Sequence, residues 1–248
     1  MSWAGQRRAG IAFGIVAVFA SLTALSWYLF IYEPPSCFDG IQNQDELGMD
    51  CEGVCARMCV APRTDALWTR AVKTADGVYH GVALVKNPLP NVSGTDLAYV
   101  LSLYDRGNIL VAERRGTLAL SPGETRIVFE PNVITGERIP VRALLKIDGG
   151  VWERSEALQS TIRMRLGELS EETRTLTAEL ENLTASPIEH VIATALLYDS
   201  EGVLVTASET RLDVLPARGR YEATFTWPEP FERPVVTSDV IVRTDARP

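Results

Sequence analysis

"KNPLPNVSGTDLAYVLSLYDRGNILVA", residues 86–112, returns later in the chain as "ENLTASPIEHVIATALLYDSEGVLVTA", residues 181–207. The text after each copy also matches: "LSPGETRIVFEP" is followed, one repeat on, by "LPARGRYEATFTWP". Asn87 aligns with Asn182, Leu103-Tyr104-Asp105 with Leu197-Tyr198-Asp199, Gly107 with Gly202 and Phe129 with Phe225, a period of about 95 residues. Within the repeat the pattern is that of strands. "TLTAELEN" places Leu176, Ala178 and Leu180 on one face and Thr177, Glu179 and Glu181 on the other, and "EATFTW" does the same with Ala223, Phe225 and Trp227. "LAYVLSLYD" and "VIATALLYD" are apolar on both faces, which suits strands in the middle of a sheet packed within a sandwich. Turn residues separate the runs: Gly107-Asn108, Glu201-Gly202, Ser121-Pro122-Gly123, and Pro216 with Gly219.

A unit of this length, mainly β with a turn every 8 to 12 residues, has the size of an immunoglobulin-like or fibronectin-like β-sandwich of about seven strands. Two such domains in tandem are expected, at residues 67–155 and 160–246. One stretch, "RSEALQSTIRMRLGELSEETRTL", carries charge-rich pieces and imperfect helical spacing, so the boundary between the domains stays open. The order of Asn, an apolar strand ending in Leu-Tyr-Asp, a Gly turn, a second apolar strand and a Pro-Gly turn resembles the FxLYD-type β-sandwich domains of bacterial envelope proteins. The likeness covers about 65 residues of each copy and departs at the Phe position, occupied by Leu101 and Ala195. That resemblance implies an accessory or interaction domain without catalytic residues.

The N-terminus adds a location. Residues 9–32 contain no charged side chain and are long enough to cross roughly 30 Å of hydrocarbon as a transmembrane helix. Arg7 and Arg8 precede them while residues 33–52 hold no Lys or Arg, so the positive-inside rule puts residues 1–8 in the cytoplasm and everything after Tyr32 outside. Trp27, Tyr28 and Tyr32 gather at the far end, where amphipathic rings favour the headgroup layer. A cleaved signal peptide is the rival reading, but its apolar region is normally about 7 to 15 residues and ends in small residues, whereas this run is longer and ends in aromatics and Pro34-Pro35.

Residues 33–62 hold all four cysteines, Cys37, Cys51, Cys55 and Cys59. Outside a membrane such a set forms two disulfides, in any of three connectivities; a Cys37–Cys51 loop alone would be worth about 3 kcal/mol in the chain-entropy model. Zinc would require thiolates on both sides of a loop, and a redox centre would require a Cys-x-x-Cys at a helix start; neither pattern is present in full. Hard oxygen donors cluster here too. Asp39, Asn43, Asp45, Glu46 and Asp50 lie within a dozen residues, a donor set that suits calcium, although Ile41 and Gln44 rule out an EF-hand loop. The segment is similar to a recurrent bacterial surface-protein motif, Cys-x-Asp-Gly-x-x-Asn-x-x-Glu-x-x-x-Asp-Cys-Gly-Gly-x-Cys, matched by Cys37, Asp39, Gly40, Asn43, Glu46, Asp50, Cys51, Gly53 and Cys55, with Glu52 in place of the first Gly of the pair. With the anchor and the repeats, the chain resembles membrane-anchored envelope proteins of small-genome bacteria.

Several function classes are disfavoured. A net charge of -8 with no Lys/Arg cluster is wrong for nucleic acid. The two histidines, His80 and His190, lie in no catalytic motif, and Tyr-Asp at 104–105 and 198–199, being duplicated, reads as a requirement of the fold. Trp68, Trp152 and Trp227 read as packing residues. The expected function is therefore a membrane-anchored, extracytoplasmic, non-catalytic binding or assembly module with a protein or envelope partner, calcium being the one candidate cofactor. The alternatives are a structural spacer without a specific ligand and, third, an enzyme with an unrecognised site.

Overall fold

The computed structural model describes residues 3–30, 35–157 and 161–244. The chain divides into two compact units at Cys55/Ala56. The first begins with α1, Trp3–Phe30, whose segment Arg8–Phe30 is long and apolar enough to cross a membrane. The helix starts before the expected residue 9, and Tyr32 lies outside the described residues. Its polar hydroxyls are satisfied within the helix: Ser21 Oγ donates to Ala17 O at 2.8 Å and Thr23 Oγ1 to Phe19 O at 3.0 Å. A span in lipid needs that, since no water is there to take their place.

The second unit is built of strands. The first group is β1 (Ala66–Ala75), β2 (Val78–Lys86), β3 (Val92–Tyr104), β4 (Leu110–Leu120), β5 (Thr125–Ile134), β6 (Arg142–Asp148) and β7 (Val151–Arg154). The second is β8 (Ile162–Ser170), β9 (Thr175–Asn182), β10 (Ile188–Tyr198), β11 (Leu204–Leu215), β12 (Arg220–Thr226) and β13 (Thr237–Thr244). They form four antiparallel sheets, ordered β1-β2-β5, β4-β3-β6, β12-β9-β8 and β11-β10-β13, with β7 also pairing β3. The stretch with helical spacing is thus strand β8 followed by a turn.

Each group makes a sandwich with six strand paths rather than seven. β6 and β7 are two pieces of one path along β3, β6 pairing residues 98–104 and β7 pairing residues 92–95. The break falls at Gly149-Gly150, both in the left-handed region, and a Cβ on Gly150 would meet Thr95 O at 2.5 Å. The outer edge of β7 is taken up by the chain that follows Cys55: Met58 N–H donates to Trp152 O and Arg154 N–H to Ala56 O, each at 2.7 Å.

Period-two alternation fills the interiors. Between β1-β2-β5 and the β3 sheet lie Ala83, Val85, Leu97, Leu118, Leu120, Val128 and Trp152, with Leu101, Leu103, Val133 and Ala143 in a second cluster. The later sandwich closes over Leu176, Ala178, Leu180, Val191, Ala193, Ala195, Leu197, Ala223, Phe225 and Trp227. Leu101 and Ala195, at the position where the resembling domains carry Phe, are both core residues with no exposed surface.

Of the two strands read as apolar on both faces, only β10 has a second partner; β3 lies in the outer sheet β4-β3-β6, with Ala98 exposed and Val100 half-buried on its open face. Val72, Val82 and Ile127 of β1, β2 and β5 pack against Leu196 of β10 and Leu204 and Ala207 of β11, with Trp68, Phe129 and Tyr198 at the margin. Sheet β1-β2-β5 therefore lies face to face on sheet β11-β10-β13. In β10, Val191, Ala193, Ala195 and Leu197 face their own sandwich, while Leu196 faces the other. Four sheets are stacked in series, and the two inner ones are covered on both sides.

Two duplicated polar residues hold the corners. Asn87 Nδ2 donates to Val92 O (2.7 Å) and Ser121 O (2.9 Å), and its Oδ1 accepts from Leu89 N–H (3.1 Å). Asn182 Nδ2 reaches Ser186 O, Leu215 O and Pro216 O at 2.8, 3.2 and 3.0 Å, and its Oδ1 accepts from Thr184 N–H at 2.8 Å. Asp105 Oδ1 accepts from the N–H of Gly107 and Ile109, and Asp199 Oδ1 from that of Glu201 and Val203, so the Tyr-Asp pair ends a strand by capping its turn.

Candidate functional site

The cysteine segment is the first place where chemistry was expected. Cys37 is bonded to Cys55, and Cys51 and Cys59 are disulfide-bonded as well. The first cysteine thus pairs with the third; the 15-residue Cys37–Cys51 loop is not made. With both sulfurs oxidised, the grouping of Cys37, Cys55 and Glu46 offers no thiolate to a metal.

The oxygen donors converge in part. Asp50 Oδ1 accepts from Asp39 N–H at 3.0 Å and its Oδ2 from Gly40 N–H at 2.9 Å. Asp39 accepts from Ser36 N–H, Ile41 N–H and Asn43 Nδ2, and the first of these is the main reason its carboxyl titrates below the usual range. Glu46 is buried; its Oε2 accepts from Asn43 N–H and Asp50 N–H, both at 3.2 Å, and its Oε1 lies 2.9 Å from the oxidised Cys55 Sγ. Asp45 sits on the exposed outside of a left-handed corner (φ 65°). Asp39, Asn43, Glu46 and Asp50 are therefore one hydrogen-bonded group in which carboxylates terminate backbone amides, and Asp45 stands apart. Asn43 Oδ1 is buried without a hydrogen-bond partner.

The second site was not anticipated. A cleft of about 540 Å³ opens between the sandwiches, beside the inter-sheet contact, with walls from β1, β2, β5 and β11 and a lid of Trp227-Pro228-Glu229-Pro230-Phe231-Glu232. Trp227 and Phe231 meet edge to face at 5.7 Å, and so do His80 and Phe129 at 4.9 Å. Trp227 is only 6% exposed, and its Nε1 has no hydrogen-bond partner. His80 Nδ1 accepts from Asn132 N–H at 3.1 Å, which places the ring proton on Nε2, and burial pushes its pKa down. Glu209 on the same wall is neutralised by Arg211 at 3.0 Å and Arg243 at 3.8 Å, and Lys73 at the mouth by Asp76 at 2.8 Å. A larger hollow of about 810 Å³ lies along the outer face of β4-β3-β6. Its charges pair off among themselves, Arg63 with Asp65, Arg115 with Glu113 and Lys146 with Asp148. His190, at a left-handed corner on the first turn of β10, joins neither site.

Composition did carry a signal for the cleft. Three prolines within seven residues, 228, 230 and 234, follow a Trp at the end of a strand. Such a stretch holds an extended aromatic loop away from the sheet. What the sequence lacked was the stacking of the sandwiches that supplies the opposite wall.

No family model matches the chain, and neither does any curated protein. Among solved structures it is similar to a red sea bream transglutaminase, at 15% identity and a TM-score of 0.25 over 74% of this chain and 30% of that one. It is also similar to a Bacteroides uniformis β-glucuronidase, at 14% identity and a TM-score of 0.25 over 69% and 25%. The chain spans about a quarter to a third of the length of these proteins.

Proposed function

We propose that the chain is a single-pass, membrane-anchored module of the cell envelope that binds or assembles with a partner outside the cytoplasmic membrane and performs no chemistry. The observation that carries this reading is the apolar contact of Val72, Val82 and Ile127 with Leu196, Leu204 and Ala207, which makes one rigid surface out of two sandwiches. A flexible tether would not need it. The disulfides and the apolar helix support the extracytoplasmic placement, and the matching hydrogen bonds of Asn87 with Asn182 and of Asp105 with Asp199 support duplication of one ancestral sandwich. Crosslinking in intact envelopes followed by purification of the full chain should return one reproducible partner. Return of none, across repeated preparations, overturns the reading and leaves the spacer.

Calcium in the disulfide segment is kept as a second reading on one observation, the buried and unpartnered Asn43 Oδ1 beside Asp39, Glu46 and Asp50. Titration of the full chain with calcium chloride, monitored calorimetrically, tests it: no heat at millimolar calcium removes it.

A further inference from the structure

The disulfide segment turns its polarity inside out. The carboxylates of Asp39, Glu46 and Asp50 accept from its own backbone amides, and the side-chain amide of Gln42 donates to Glu46 O. Its large apolar side chains, Phe38, Ile41, Leu47, Met49 and Val54, are all exposed, Phe38 to 92% and Leu47 to 72%. Apolar side chains scattered singly over a surface are ordinary, but here every one between Cys37 and Cys55 faces outward. The hydrogen bonds also gather them. Asp50 binds the amides of Asp39 and Gly40, which Phe38 and Ile41 flank, while Met49 precedes Asp50 and Glu46, next to Leu47, accepts from Asp50 N–H. Residues 33–55 contain no Lys or Arg, so this exterior has no cation with which to seek phosphate or carboxylate groups.

The surface within reach is the bilayer that holds α1. Trp27 and Tyr28, exposed on the last turn of that helix, mark the headgroup layer. Six residues, 31–36, separate Phe30 from Cys37, and a chain extends at most about 3.6 Å per residue, so Cys37 lies within roughly 25 Å of the helix end. A tether that short keeps the segment at a high effective concentration against the membrane surface, where side chains such as Phe, Leu and Met leave water for the boundary between headgroups and acyl chains. We infer that the disulfide segment lies in the headgroup layer of that membrane, with Phe38, Ile41, Leu47, Met49 and Val54 against lipid. The assignment rests on the reading of α1 as an anchor and adds a second contact with lipid, one that holds the base of the module on the surface. Without a cation in the segment the contact is apolar and indifferent to lipid charge.

The test uses the full chain in phosphatidylcholine vesicles, with both disulfides confirmed by non-reducing mass spectrometry. A photo-crosslinking residue is introduced as Phe38→benzoylphenylalanine and, separately, as Leu47→benzoylphenylalanine; the reference is Ile134→benzoylphenylalanine, at an exposed position of β5. After illumination, mass spectrometry of proteolytic peptides measures the lipid adduct at each position. Phe38 and Leu47 should each give at least about tenfold the adduct of Ile134, since a side chain resting in lipid meets it continuously and one in water only by collision. Replacing part of the phosphatidylcholine by phosphatidylglycerol should leave the yield unchanged. Adduct at Phe38 and Leu47 no greater than at Ile134 overturns the inference, as does a yield that requires anionic lipid or adduct to a second protein chain in place of lipid. Alkaline carbonate extraction of the same vesicles separates the two readings. A chain retained in the membrane without lipid adduct keeps the anchor and loses the lipid contact of the disulfide segment, whereas a chain washed off loses both.

Discussion

Asn182→Ala is the most demanding test of the packing logic. The side chain is 1% exposed, and its amide and carbonyl serve Leu215 O, Pro216 O, Ser186 O and Thr184 N–H, which closes the corner after β9 onto the turn before β12. Truncation removes every one of these bonds at once and strands their partners away from water. Its two N–H groups, shared among three carbonyls, and its acceptor bond count at about 1 kcal/mol each and, with a remainder for the small cavity, give a loss of about 3–4 kcal/mol. Asn182→Asp keeps the acceptor and replaces the donors by an anion facing three carbonyls, so it should cost at least as much. Asn87→Ala, with three bonds of its own, should cost about 3 kcal/mol. The exposed Asn91→Ala serves as control, within about 0.5 kcal/mol of the native chain. Urea unfolding followed by tryptophan fluorescence measures all four at constant m-value. A loss below about 1 kcal/mol for either buried asparagine would refute the claim that these corners are held by side-chain amides.

Leu196, 1% exposed and directed at the other sandwich, should cost about 2–5 kcal/mol as Leu196→Ala, and as Leu196→Glu should raise the radius of gyration measured by small-angle X-ray scattering by parting the inner sheets; an unchanged radius for the Glu variant speaks against a closed interface. Glu52 adopts φ 56° where the similar surface motif has Gly, so Glu52→Gly should raise the stability of the disulfide segment by about 1 kcal/mol, read from its rate of limited proteolysis, whereas faster cleavage contradicts the backbone argument. Gly53→Ala should do the reverse, because its Cβ would fall 2.1 Å from Asp45 O. For pH, the carboxyls of Asp199 and Glu181 are held low, the first by Val203 N–H and then Arg233, the second by Arg220, and the folded His80 is held low by burial. All three folded values lie below the unfolded ones, so their contributions are present at neutral pH and fade on acidification. His80 acts first, below about pH 6.5, and the carboxyls follow below about pH 4. His80→Gln should erase the first stage of a thermal-unfolding profile against pH, and a one-stage profile in the native chain counts against this account.

What could be read from the chain and what could not divide along a physical line. Alternation in "TLTAELEN" and "EATFTW" identified core faces because the side-chain period of a strand is fixed by the backbone; Leu176, Ala178, Leu180, Ala223, Phe225 and Trp227 are all buried. The disulfide pairing lay beyond that reach, since four cysteines allow three patterns and spacing chooses none. So did the extent of Asp39 and Glu46 as acceptors for backbone amides, because a carboxylate rich in calcium-type neighbours and one that caps turns carry the same letters. The cleft is the instructive case. "VIATALLYD" and "LAYVLSLYD" read alike as middle strands of a sandwich, yet only the first has a second partner: Leu196 meets Val72, Val82 and Ile127, while Ala98 and Val100 of β3 lie on an outer face. Once two twisted sheets stack in that way, their edges part where the contact ends, and the Trp227–Glu232 loop roofs the gap. The packing of β10 on both sides therefore produces both the joining of the pair and the concavity beside it, so that a change such as Leu196→Glu should open the cleft though Leu196 does not line it.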